Sequence, residues 1–354
     1  MKTIIKSSIV LLLILGALTG NCHLAVGQEK PKGSLRFPYR QAGLTAEQAA
    51  AHLLDRFSYG ARPGEVEAVA SEGLETWFLR QLDANMPEDT LNTLLANLDA
   101  LQLSNEQVAQ IFPSAGQVLR SAIKDGGIKA DSGAIDRKAH RQELESYRQN
   151  HQLRPQQELF KQLIDQRIYR AAYSHNQLLE VMTAFWFNHF NVSLSKNSCA
   201  RFVPAYERDV IRPNALGNFS DLLLATAKSP AMLFYLDNFS STAAHQNKVL
   251  SQTKKRAKGI NENYAREVME LHTLGVDGGY RQQDVTEAAR VLTGWTVFPL
   301  NGKAQYSPKN GNIREGDFLF VAARHDKGKK TVLGKPFGPK PNHLSSWPSG
   351  RFAT

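Results

Sequence analysis

The chain has 354 residues, 42% of them hydrophobic, and a formal net charge of +10 from 43 Lys and Arg against 33 Asp and Glu. That apolar content excludes a disordered tail, and the length suffices for a substantial core without covalent staples. The charge points toward anionic polymers, lipid headgroups or acidic proteins as partners.

Residues 1–27 have the three parts of a cleavable secretory signal: a basic start at Lys2 and Lys6, an apolar run over 9–18, and a small-residue exit at Ala25 and Gly27. The run is shorter than the ~20 residues of a membrane-spanning helix, and no transmembrane segment is expected after cleavage. The expected location is periplasmic, outer-membrane-associated or extracellular, where nucleic acid is not an expected partner. Cleavage after Gly27 lowers the charge from +10 to +8 and removes Cys22. Cys199 then remains as a single, buried cysteine and no intramolecular disulfide can form. Lipidation at Cys22 is the competing processing route, with Asn21 standing where such signals carry a small residue.

A leader over 28–44 precedes Thr45, which forms a capping box with Gln48 and opens a helix running to Phe57. Val66, Val69, Leu74, Trp77, Phe78 and Leu82 follow at helical spacing, and amphipathic stretches lie at 91–101 and 108–123. Residues 124–154 read as an exposed, glycine-containing insertion running into a charged helix. Pro155 opens the next helix, to Tyr173. Residues 177–190, with Trp186, Phe187 and Phe190, are expected to be the central core helix. Helical patterns recur at 203–211, 219–227, 231–236, 263–274 and 284–292. Beyond Trp295 they give way to short β-prone runs at 296–298, 318–322 and 331–333. The expected class is mainly α, a multi-helix globular domain with a few short β-strands near the C-terminal end.

Three segments set polar groups among apolar ones. In 185–191, Asn188, His189 and Asn191 stand among large aromatics, so each should find a partner, in the core or lining a site. In 260–275, Asn263, Glu267 and Glu270 share one helical face, while Tyr264, Val268 and Leu271 form another. On that projection His272 lies nearly opposite the two carboxylates, a poor arrangement for chelating one metal with them. Arg266 and Glu270 have ion-pair spacing, and Gly275 reads as the helix end. In 284–295, Asp284 with Glu287 signals a helix start and Glu287 pairs with Arg290. A fourth feature is the cation cluster Lys254, Lys255, Arg256 and Lys258, either a solvated loop or a site for an anionic partner. Zinc-helix, di-iron, nucleophile-elbow and phosphate-loop signatures are absent, so no cofactor is named.

Six segments in fixed order are similar to one bacterial family. They are H-L-L-D-R-F-S-Y-G-A-R-P-G from His52, W-F-N-H-F-N-V from Trp186, Y-L-D-N from Tyr235, N-E-N-Y-A-R-E-V-M-E-L-H-T-L-G from Asn261, D-V-T-E-A-A-R-V-L-T-G-W from Asp284 and R-H-D-K-G-K-K-T-V-L-G from Arg324. The chain resembles the proteins grouped as domain of unknown function 1800 over roughly 52–334. The resemblance implies a large bacterial protein, often exported, and transfers no catalytic residue. It also implies further helices after the last motif, whereas 341–354 looks atypical and suggests truncation or a frame shift. The expected layout is a signal at 1–27, a leader at 28–44, one domain at 45–340 and the tail at 341–354.

Two functional expectations follow. One is a binding protein of the envelope or extracellular space that takes an anionic polymer or an envelope protein as partner. The other is an exported enzyme, hydrolase-like, drawing on His189, Glu267 and Glu270, with His272 or His325, as acid/base groups or metal ligands.

Overall fold

The computed structural model describes residues 35–128, 140–196, 199–243, 259–300 and 304–337. The expected signal at 1–27 with Cys22, the cations Lys254, Lys255, Arg256 and Lys258, and the tail expected at 341–354 lie outside the described residues. The described part is mainly α, as expected, with short antiparallel strands near its C-terminal end. No helix among the described residues is long and apolar enough to cross a membrane.

Thr45 caps α1 (Ala46–Phe57) with the box read from the sequence, its side chain accepting from the Gln48 N–H while Gln48 accepts from the Thr45 N–H. The next apolar stretch, expected as one helix, is two: α2 (Glu65–Glu72) and α3 (Leu74–Asp83), broken where Gly73 takes φ 98°. These three helices enclose a core of their own around Leu54, Val69 and Trp77, with Phe37 and Phe57 edge-on to Phe78. Buried amides join that core to the main body. Gln81 donates to the His175 carbonyl and accepts from the Leu178 N–H, and Gln177 accepts from the Tyr59 N–H.

The main body begins with α4 (Asp89–Ala96), α5 (Asn105–Ile111) and α6 (Ala115–Lys124), the last two split around Pro113 where one helix was expected. The charged helix α7 (Arg141–Asn150) buries no residue, in keeping with an exposed insertion. Pro155 precedes α8 (Gln156–Tyr173), which is followed by α9 (Gln177–His189). The expectation of a central apolar core helix needs correction at α9. Its buried side chains are Gln177, Leu178, Glu180 and Thr183, while Phe185 is 54% exposed. The helix is turned so that its polar edge meets half-buried arginines.

A continuous helix α10 joins Val203–Tyr206, Glu207–Ile211 and Arg212–Asn214, and its middle section has π geometry. Pro213 supplies a cause: it lacks an N–H and its ring crowds the carbonyl four residues back, so the ladder widens, with the Arg212 N–H bonding to Glu207 O. Two further helices, α11 (Phe219–Lys228) and α12 (Pro230–Tyr235), lead to α13 (Glu262–Glu270) and α14 (Gln282–Val291), which pack on each other. Strand β1 (Trp295–Val297) pairs with β3 (Phe318–Phe320), which also pairs with β2 (Ile313–Glu315); β4 (Lys330–Val332) pairs with β5 (Lys335–Phe337) and lies on α14. The main core runs through Leu163, Phe190, Tyr206, Tyr264, Val285 and Trp295. Cys199 is fully buried, its thiol pushed up to about 11 by desolvation.

Candidate functional site

The end of α9 meets the end of α13 through two histidines. His189 is the last residue of α9, and its Nε2 lies 3.1 Å from the His272 carbonyl oxygen. The two rings are 6.3 Å apart, with Trp186 edge-on to His189 and Phe190 against His272. A neutral imidazole facing a carbonyl carries its proton on that nitrogen, which leaves Nδ1 of the half-buried His189 as the basic atom. His272 is buried, and desolvation, reinforced by His189, lowers its pKa to about 4, so it is neutral near pH 7.

The helical projection of 260–275 holds only as far as Glu270. There α13 ends, and the His272 N–H donates to Glu267 O at 3.0 Å and the Leu274 N–H to Met269 O at 2.8 Å, a widened last turn. That turn swings His272 inward and leaves Leu271, expected on the apolar face, 56% exposed. Glu267 is half-buried and its carboxyl is raised by desolvation and by Glu270, against the opposing charge of Arg266. The expected Arg266–Glu270 pair gives way to other bonds: Arg266 donates to Gln282 at 2.8 Å and Glu270 accepts a long bond from the Tyr280 hydroxyl at 3.5 Å. Asn188 and Asn191 are exposed and need no buried partner, a second correction to the reading of 185–191.

The structure therefore brings His189 to His272 and links Glu267 to them through its backbone. His325 belongs to a different junction, bonded to Thr293. Among the described residues no three His, Cys, Asp or Glu side chains are grouped to hold a metal ion. What this arrangement can do chemically is accept a proton at His189 Nδ1.

A denser polar cluster lies where α8, α9 and the π turn of α10 meet, and the sequence reading did not single it out. Arg212 contacts Glu180 at 2.7 Å and Glu207 at 3.4 Å; Arg170 contacts Glu180 at 3.3 Å and Arg167 contacts Glu207 at 2.6 Å. Gln166 donates a further bond to Glu207. The Arg167 guanidinium also lies 4.3 Å from the Phe187 ring centroid. Both carboxylates are almost wholly buried, and burial, with Arg212 adding to it, lowers the Arg170 pKa. The tyrosine of the first family-like segment, Tyr59, senses this cluster: burial first, then the charges of Glu180 and Glu207, raise its phenol. The signal that was available is a Glu inside each of two apolar helices, at 180 and 207, since buried acids need partners.

A family model described as protein of unknown function DUF1800 matches residues 52–350. The chain belongs to that family. No curated protein and no solved structure matches it. The match runs beyond Gly334 and takes in residues 341–350, most of the tail that the sequence reading set apart.

Two of the segments that resemble DUF1800 proteins interlock. Helix α14 carries Asp284, Glu287 and Arg290, Thr293 follows its end, and the strap from Arg324 to Gly334 folds over all four. Asp284 Oδ1 accepts from the Leu333 N–H at 2.7 Å while its Oδ2 accepts from the Arg281 N–H, so one carboxylate starts the helix and pins the strap. Glu287 accepts from the Thr331 N–H at 3.1 Å and pairs with Arg290 at 2.6 Å, the pair read from spacing. Arg290 forks onto Asp326 at 3.0 and 3.1 Å. Gly294 is required by close approach of a backbone carbonyl, and Gly328 leaves room for the Arg290 guanidinium. A Cβ at Gly294 would stand 2.7 Å from the Val321 carbonyl at φ 84°, and one at Gly328 would stand 2.5 Å from Arg290 Nη2.

Proposed function

We propose that the protein is exported and acts in the envelope or outside the cell as a binding protein, taking an anionic polymer or an acidic envelope protein as partner through Lys254, Lys255, Arg256 and Lys258. The observation that supports this reading is where the positive charge sits. The described residues contain 28 Lys and Arg against 30 Asp and Glu, a balance of −2, so the remainder carries 15 against 3, a net +12. Residues 244–258 hold Lys248, Lys254, Lys255, Arg256 and Lys258 and no acid. Of the residues that flank them, Thr242 donates its N–H to the Gly259 carbonyl at 3.4 Å. Cations grouped without counter-charge attract a polyanion more strongly than the same cations interspersed with acids.

Retention of the mature chain on an immobilised acidic polysaccharide tests the proposal. Binding at about 0.05 M salt should be lost by about 0.5 M, because screening shortens to a few ångströms. It should also be lost in a variant carrying K254Q, K255Q, R256Q and K258Q. No retention, or retention indifferent to salt, removes the reading.

A second reading is an exported acid/base or metal-dependent hydrolase-like enzyme built on His189, Glu267 and Glu270. It is favoured by His189, bonded through Nε2 to His272 and so joined to the segment that carries the raised carboxyl of Glu267. A hydrolase screen comparing the native chain with His189→Asn decides it: turnover that survives the substitution ends this reading. Metal analysis of the same preparation separates its acid/base and metal versions.

A further inference from the structure

The strap sets a buried amine against a neutral imidazole, an arrangement that responds to protons. Lys330 is 2% exposed, and its Nζ faces the carbonyls of Asp326 and Gly328 and, at 3.5 Å, His325 Nε2. Three acceptors match the three protons of an ammonium group. The other ring nitrogen, His325 Nδ1, lies 2.8 Å from the Thr293 carbonyl and so carries the proton of the neutral ring. His325 is thereby fixed as donor to the end of α14 and acceptor from Lys330. A second proton can go only to Nε2, where it occupies the lone pair that Lys330 uses and leaves two cations in contact.

The other charges nearby relieve that contact only in part. Asp326 Oδ1 is 3.9 Å from Lys330 Nζ, but the carboxylate is already held by Arg290 and by the Gly328 N–H. From α14, Asp284 and Glu287 face the strap backbone, accepting from the Leu333 and Thr331 N–H groups, and Glu287 also pairs with Arg290. Arg324, beside His325, donates to the Phe239 and Ser241 carbonyls, and Lys327 and Lys329 are exposed in the same turn. The Phe320 ring covers His325 edge-on at 5.2 Å. Burial, with Lys330 adding to it, holds the His325 pKa below its usual range.

We propose that the strap is a proton-operated clasp: a second proton on His325 frees 330–337 from α13 and α14 and uncovers the apolar surface between those helices. That surface includes Ala265, Val268, Ala288 and Leu292, which line a small cavity beneath Val332 and Phe337. The sign follows from linkage. A histidine whose folded pKa is depressed contributes stability that is complete above its unfolded value of about 6.5 and is lost as pH falls through the folded value.

Hydrogen exchange of the full chain at about pH 7.5 and about pH 5 tests the clasp, with protection corrected for intrinsic rate. The lower pH stays above the range of about 4 in which free carboxylates titrate. The Thr331 and Leu333 amides should lose about tenfold or more of their protection at the lower pH, while those of α9 keep theirs. Lys330→Met and His325→Gln should each flatten the loss, the first by removing the ammonium and the second by removing the proton acceptor. Equal protection of the native strap at both pH values overturns the proposal, as does a Lys330→Met strap that loosens as steeply as the native one. Should Lys330→Met fail to fold, His325→Gln decides alone, and an undiminished loss there overturns the proposal.

Discussion

Around Arg212, two buried carboxylates are matched by guanidinium groups, whereas Lys330 is matched by an imidazole and two carbonyls. Both regions bury charge between packed helices or straps, and both carry bonds that join segments far apart in the chain. They differ in what holds the charge in place. Guanidinium stays charged at every ordinary pH, so the first cluster changes only when its carboxylates protonate. The second depends on a lone pair that a proton can take once the pH falls below the usual histidine range. Burial alone therefore does not set how a polar junction responds to acid; the protonation state of the partner does.

The largest expected effect breaks the first junction. Arg212→Leu leaves Glu180 and Glu207 short of their shared partner and should cost about 3–5 kcal/mol, read as a shift of the urea midpoint. A loss below about 1 kcal/mol would show that Arg167 and Arg170 suffice without it. Next, Gly294→Ala forces a Cβ against the Val321 carbonyl at positive φ and should cost about 1–3 kcal/mol by the same measurement. A neutral result there would mean that the segment leading into the strap is not seated against Gly294.

The third prediction sets the strap against His272, a buried histidine with no ammonium beside it. Its pKa of about 4 means that the stability it contributes is complete above about 6.5 and is lost as pH falls through about 4. Urea titrations at stepwise lower pH should show this loss in the native chain, and His272→Phe should remove part of it without altering exchange in the strap. If His272→Phe also steadies Thr331 and Leu333, the two junctions are coupled and the contrast fails. The smallest effect is that of Lys330→Met at about pH 7.5, where an apolar chain of similar length replaces a buried ammonium. Stability there should change by less than about 1 kcal/mol, in contrast to Arg212→Leu, because no opposite charge is stranded.

Local features were legible in advance because their causes are local. The Thr45–Gln48 box, the helix after Pro155 and the Glu287–Arg290 pair depend on residues within one turn, and each stands as read. The unread ones depend on distant partners. The strongly apolar run 177–190 suggested the central core helix, yet arginines on α8 and α10 turn its Glu180 inward and leave Phe185 in solvent. His272 was placed opposite Glu267 by a projection that assumed a helix longer than the one that forms. Of the candidate site, the meeting of His189 with His272 was not readable, since 83 residues separate the two.

The amino-acid order by itself determined the helical class, the main helix starts, the burial of Cys199 and membership of the DUF1800 family, because periodicity, capping and motif order act along the chain. Tertiary structure alone decided which acids meet which arginines, which histidine faces a carbonyl and which an ammonium, and where Gly294 must admit the carbonyl of Val321. Those outcomes turn on contacts of a few ångströms between residues tens of positions apart, and one-dimensional spacing carries no information about that approach.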